Sequence, residues 1–120
     1  MPKTILLVDD SPAHLQLMQK ALAGRDYQIL TAGDGEEALA HAERQHPDLI
    51  LLDVVLPKMN GYQVCRQLKS AAETRSIPII LVSSRTQESD RYWGLKQGAD
   101  GYVTKPFRPE DLLAAVESKL

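Results

Sequence analysis

The sequence predicts an α/β fold with a five-stranded parallel sheet of order 2-1-3-4-5 and helices on both faces. Three observations predict it. Short apolar segments alternate with amphipathic ones five times along the chain. The connections between them are short throughout, as in strand-helix-strand units. Residues 5–8, 49–52 and 79–82 are uninterrupted aliphatic runs, which mark strands buried on both faces. Those runs are the first, third and fourth strands, the central three in this order.

The elements follow in turn. The first strand, 5–8, ends in Asp9 and Asp10. Ser11 and Pro12 supply an N-cap and a first-turn proline. The helix beyond them turns Leu15, Met18 and Leu22 inward, flanked by Leu17 and Ala21, and Gly24 closes it. Residues 27–32 alternate more than the other strands do, as a less buried strand would. Asp34 and Glu37 have capping-box spacing, and their helix buries Ala38, Leu39 and Ala42 before Pro47.

Strand 49–52 runs straight into Asp53, and Pro57 and Gly61 mark the loop beyond. Asn60 caps a helix that turns Val64, Cys65 and Leu68 inward. A polar loop spans 71–76. Strand 79–82 ends in Ser83 and Ser84. A helix follows over 88–97, weakened by Gly94 and ended by Gly98. Strand 101–104 leads to Lys105, Pro106 and Phe107. Pro109 opens the last helix, with Leu112, Leu113, Val116 and Leu120 on its apolar stripe.

With 120 residues, the chain suits a single domain over 1–120. Its 43% hydrophobic and 25% charged residues are ordinary for a globular protein. A net charge of -2 makes no electrostatic case for nucleic-acid binding. No apolar run approaches membrane-spanning length, and the amino terminus lacks a signal-peptide pattern. Cys65 is the only cysteine, so no internal disulfide forms, which fits a cytoplasmic location.

In a parallel sheet all strand carboxyl ends share one edge, where ligands gather. Asp9, Asp10, Asp53, Ser83 and Lys105 therefore converge from four different strands. Three close carboxylates repel unless a cation intervenes. A hard divalent ion with oxygen ligands answers that need, and Mg²⁺ suits a few carboxylates shared with phosphate oxygens. A carboxylate beside Mg²⁺, a hydroxyl and a lysine makes a phosphoryl-transfer site. Asp53 is the candidate nucleophile, because the adjacent Asp9 and Asp10 are better placed to hold metal.

Val8-Asp9-Asp10-Ser11, Leu52-Asp53 with Pro57 and Gly61, Val82-Ser83, and residues 98–107 resemble the response-regulator receiver domains of two-component signalling, the CheY-like, flavodoxin-fold phosphoacceptor modules. The resemblance covers the whole chain. It implies that Asp53 takes a phosphoryl group from a histidine kinase. It implies that Asp10, Asp53 and the Val55 backbone carbonyl bind Mg²⁺ directly, with Asp9 reaching it through water. Ser83 and Lys105 would contact phosphoryl oxygens, Tyr102 would turn inward as Ser83 moves, and Lys105-Pro106 would be cis. Output would pass to a protein through the face of the fourth helix, fifth strand and fifth helix. The implied protein is a monomer or weak homodimer, a signalling switch and not an enzyme in the ordinary sense.

Val55 and Arg85 hold positions that influence dephosphorylation in that family. An apolar Val55 cannot orient a water, whereas Arg85 could pair with the phosphoryl group or a partner and set the phosphoryl lifetime in part. Residues 87–99, with Trp93-Gly94, look like the stand-alone regulators of pilus-type, twitching-motility chemosensory systems.

Other residues read as structural. His41 and His46 do not stack on one helix face, and His14 belongs to another helix, so all three are expected to be solvated. Cys65 fits a core position. Trp93 fits either core or a partner contact, and Arg91, Lys96, Arg108 and Lys119 either a basic output face or scattered solvated charge. Three other functions compete. An aspartyl-phosphate phosphatase of the haloacid dehalogenase type would need an acid where Val55 stands. A flavodoxin-like binder would need a phosphate-cradling loop where Asp9-Asp10-Ser11-Pro12 stands, and a receiver-like module that works without phosphate would not need the set Asp9, Asp10, Asp53, Ser83 and Lys105.

Overall fold

The computed structural model describes residues 2–120. Its strands are β1 (Lys3–Val8), β2 (Tyr27–Ala32), β3 (Leu49–Leu52), β4 (Ile79–Ser83) and β5 (Gly101–Thr104). The helices between and after them are α1 (Pro12–Leu22), α2 (Gly35–Gln45), α3 (Gly61–Ser70), α4 (Glu88–Lys96) and α5 (Pro109–Lys119). All strands are parallel, in the expected order β2-β1-β3-β4-β5.

Successive strand side chains point to opposite faces, and each face has its own core. Leu6, Val8, Ile50, Leu52 and Leu81 pack with Ala38, Ala42, Val64, Cys65 and Leu68 of α2 and α3. Ile5, Leu7, Leu49, Leu51, Ile80 and Val82 pack with Met18, Leu22, Leu112 and Val116 of α1 and α5. Every residue of β3 and β4 is buried, whereas β2 is mostly half-buried, as an edge strand should be. None of the helices is long and apolar enough to cross a membrane among the described residues.

Local chemistry sets the helix starts. Ser11 accepts the His14 N–H, Asp34 the Glu37 N–H, and Asn60 with Gln63 forms a full reciprocal box. The Asp34 box is only half made, because the Glu37 carboxylate accepts the N–H of Gly33 instead. Gly24 takes a positive φ of 89° just past α1, and Gly98 one of 102° past α4.

Two apolar assignments are corrected. Leu17 is 55% exposed and Leu120 39% exposed. Both lie at the margin of a narrower buried stripe, which on α1 is Met18, Ala21 and Leu22 and on α5 is Leu112 and Val116. The loop at 71–76 is less open than its polarity suggests. Thr74 is buried and donates its hydroxyl to the Leu68 carbonyl at 2.7 Å. At the amino edge of the sheet, the Asp100 carboxylate accepts from the Ile79 N–H and from Lys69 Nζ. That latch fixes β4 against the end of α3.

Candidate functional site

The strand ladder carries the acids to one level. Asp9 N–H donates to the Ala32 carbonyl and Asp53 N–H to the Val8 carbonyl, one residue past each strand. The chain then turns sharply, with Gly61 N–H on the Val54 carbonyl at 2.8 Å. A Cβ on Gly61 would collide with the Asp53 carbonyl and the Val54 Cα, so the turn requires glycine.

Asp9, Asp10 and Asp53 each present a carboxylate oxygen within 4.8 Å of the others. Asp9 and Asp53 are buried and Asp10 is exposed. The two buried acids share one cation: Lys105 Nζ lies 2.6 Å from Asp9 Oδ2 and 3.1 Å from Asp53 Oδ2. Their other oxygens accept backbone N–H groups, Asp9 Oδ1 from Ser11 at 2.9 Å and Asp53 Oδ1 from Val55 at 3.3 Å. The Lys105-Pro106 bond is cis, as expected. Burial pushes the Asp53 carboxyl above its ordinary range; Lys105 works against this, and Asp9 reinforces it. Desolvation therefore outweighs one shared lysine, and a further cation would relieve the remaining cost.

Ser83 ends β4 on the same edge and is fully buried. Its Oγ accepts the Arg85 N–H at 3.2 Å. Tyr102 is turned inward, and its hydroxyl donates to the Arg85 carbonyl at 2.8 Å. Burial raises the Tyr102 hydroxyl above its ordinary range, and the nearby Ser83 hydroxyl opposes that rise. The Arg85 backbone thus joins the two residues, a link absent from a reading that considers its side chain alone. The Arg85 guanidinium pairs with Asp90 of α4 at 3.8 Å, not with the carboxylate cluster.

One residue read as solvent-facing is at the site. His14 Nδ1 lies 3.1 Å from Lys105 Nζ and 3.5 Å from Asp9 Oδ2. The available signal was position: the first turn of a helix that follows a strand lies over that strand's carboxyl end. His41 is beside Glu37 and His46 is exposed at the end of α2. Cys65 is buried and its thiol is pushed up to about 11, which makes it a core residue and not a nucleophile. Trp93 is half exposed on α4, with Tyr92 and Leu95 also exposed. Arg91 stacks over the Tyr102 ring, 5.6 Å from its centroid, and Lys96 over Tyr92 at 5.9 Å.

A parallel 2-1-3-4-5 sheet with an acid cluster and a lysine on its carboxyl edge is the arrangement of a receiver-type signalling domain. The family model for the response regulator receiver domain matches residues 5–117, and the chain belongs to that family, the receivers of two-component response regulators. It is similar to Protein PilH of Pseudomonas aeruginosa, 42% identical over 116 residues that cover 97% of this chain and 96% of that one. It spans about half the length, or less, of the other curated relatives it matches. Chemotaxis protein CheY4 of Vibrio cholerae is 32% identical with a TM-score of 0.93, and the match covers 100% of both chains. The receiver domain of sensor histidine kinase PA1611 from Pseudomonas aeruginosa was solved with a magnesium ion coordinated in its active-site cleft. It is 31% identical with a TM-score of 0.90, covering 98% of this chain and 97% of that one.

Proposed function

We propose that this protein is a phosphorylation-operated switch in which Asp53 accepts a phosphoryl group from a histidine kinase. The observation that carries the proposal is the single lysine shared by two buried carboxylates, with a third carboxylate open to solvent beside them. An Asp53 oxygen would form the new P–O bond as the donor's P–N bond breaks. The departing imidazole keeps that electron pair and takes a proton from solvent.

The donor set fits Mg²⁺: hard carboxylate oxygens from Asp9, Asp10 and Asp53, one of them facing water. The Val55 carbonyl, next to Asp53, is the further ligand implied by the family pattern. Bound Mg²⁺ would offset negative charge on the transferring group. Lys105 would follow a phosphoryl oxygen, and Ser83 would donate to another.

That new demand on Ser83 reaches Tyr102 through the Arg85 backbone. The Arg85–Asp90 pair extends the link to α4. We assign output to the face of α4, β5 and α5, where Tyr92, Trp93 and Leu95 are exposed. The near full-length likeness to PilH supports a stand-alone regulator of a pilus-type chemosensory system, working in the cytoplasm as a monomer or weak homodimer. An exposed valine at position 55 supplies no acid for a dehalogenase-type phosphatase.

Intact mass after incubation with Mg²⁺ and acetyl phosphate tests the proposal. One added phosphoryl group is expected, absent from Asp53→Asn and from an EDTA control. No gain from acetyl phosphate or from a phosphorylated histidine kinase would instead establish a module that works without phosphate.

A further inference from the structure

Lysine has three N–H donors and no acceptor. In this structure Lys105 Nζ has a partner for each: Asp9 Oδ2 at 2.6 Å, Asp53 Oδ2 at 3.1 Å and His14 Nδ1 at 3.1 Å. Because lysine can only donate, the 3.1 Å approach is a hydrogen bond in the tautomer whose Nδ1 is the acceptor.

We infer that His14 is a positioning residue for Lys105, an acceptor that holds the ammonium over the site while its two carboxylate partners are drawn into the reaction. Asp53 gives up an oxygen to the new bond, and Asp9 belongs to the cluster that would take the cation. His14 is the only one of the three acceptors that neither forms a bond nor binds metal. This inference rests on the reading of Lys105 as the phosphoryl contact.

The imidazole is well placed for the task. His14 is the third residue of α1, and its own N–H is held by Ser11 Oγ at 3.3 Å. The Ser11 N–H is in turn held by Asp9 Oδ1 at 2.9 Å. Asp9 therefore orients both the lysine and the helix turn that carries the histidine. On its other side His14 lines a largely apolar groove with Leu17, Pro106 and Phe107. Its side chain is 47% exposed, so the contact is partly screened and its contribution is modest.

Two substitutions separate the acceptor nitrogen from the bulk of the ring. In Asn, Oδ1 takes the place of Nδ1; Leu fills space without accepting. With Mg²⁺ and acetyl phosphate, His14→Leu should lower the rate constant for Asp53 phosphorylation about fivefold, the size of one screened hydrogen bond to a charged group. His14→Asn should stay within about twofold of the parent, since the acceptor is kept. The Lys105 ammonium resonance in ¹H–¹⁵N spectra gives a reading that needs no phosphotransfer. It should broaden in His14→Leu and persist in His14→Asn.

Equal rates and equal ammonium spectra in all three proteins would overturn the inference. So would an equal loss in both variants, which would mean that ring packing and not the nitrogen matters. If the parent gains no phosphoryl group while the ammonium resonance still distinguishes Leu from Asn, the positioning contact stands and the phosphoacceptor reading fails.

Discussion

At Asp53, burial and ion pairing oppose each other, and burial prevails: the carboxyl is raised despite the adjacent Lys105. The folded state thus binds a proton that the unfolded state has already released. Stability contributed by the protonated form is complete at pH values below the unfolded range near 3.8. It is lost as pH rises through the raised folded value. Asp53→Asn removes that cost at neutral pH, while Lys105 keeps Asp9 and His14 as partners. In metal-free buffer the variant should melt above the parent at pH 7. At pH 3 the two should coincide. Equal melting points at pH 7 would mean that Lys105 fully compensates the buried charge. Asp9, Asp10, Asp53, Ser83 and Lys105 were legible in the sequence because each ends an apolar run or short strand. His14 was not, because comparing histidines only with one another ignores the strand edge that the first turn of α1 overlies. The Ser83–Arg85–Tyr102 link was equally hidden, since it runs through a backbone whose conformation no side chain announces.

At the scale of elements, the strands were readable from uninterrupted aliphatic runs and the helices from caps. The buried stripes were read too wide at Leu17 and Leu120, because apolar identity does not say how far a neighbouring helix extends over it. Two glycines show the same limit. Gly61 closes the turn after β3, and its missing Cβ leaves room for the Asp53 backbone. Gly94 looks like a weak point in α4, yet a Cβ there would stand 2.6 Å from Leu81 Cδ1 in the core. Helix propensity favours Gly94→Ala by about 1 kcal/mol. Overpacking against a buried leucine costs about 1–3 kcal/mol, so the net effect should be destabilising. Gly61→Ala meets backbone, which cannot rotate away, and should cost about 2–4 kcal/mol with loss of phosphoryl acceptance. Urea unfolding of both variants checks the order. Gly94→Ala more stable than the parent would show that α4 is free to lift from β4 and β5.

For the molecule as a whole, the site is a junction of β1, β3, β4 and β5, and a ligand there binds only the folded chain. Mg²⁺ at a hundredfold its Kd should stabilise the protein by about 2.7 kcal/mol. Asp10→Asn, which removes an exposed ligand without disturbing the Lys105 pairs, should lose most of that gain in thermal melts. An undiminished gain would place the ion elsewhere. Moving the output face from 1:99 to 99:1 takes about 5.5 kcal/mol of preference for one state. The path offered is a few hydrogen bonds through Arg85, so under the proposed function a binding partner would have to supply a large share.

The spread of the site along the chain has a consequence for synthesis. A polypeptide emerging amino end first displays Asp9, Asp10 and His14 early and Asp53 midway. Lys105 comes nearly a hundred residues after Asp9. Until it leaves the ribosome, the growing chain carries an acid cluster with no cation of its own. Under the proposed function, a chain still lacking Lys105 would not accept a phosphoryl group on Asp53.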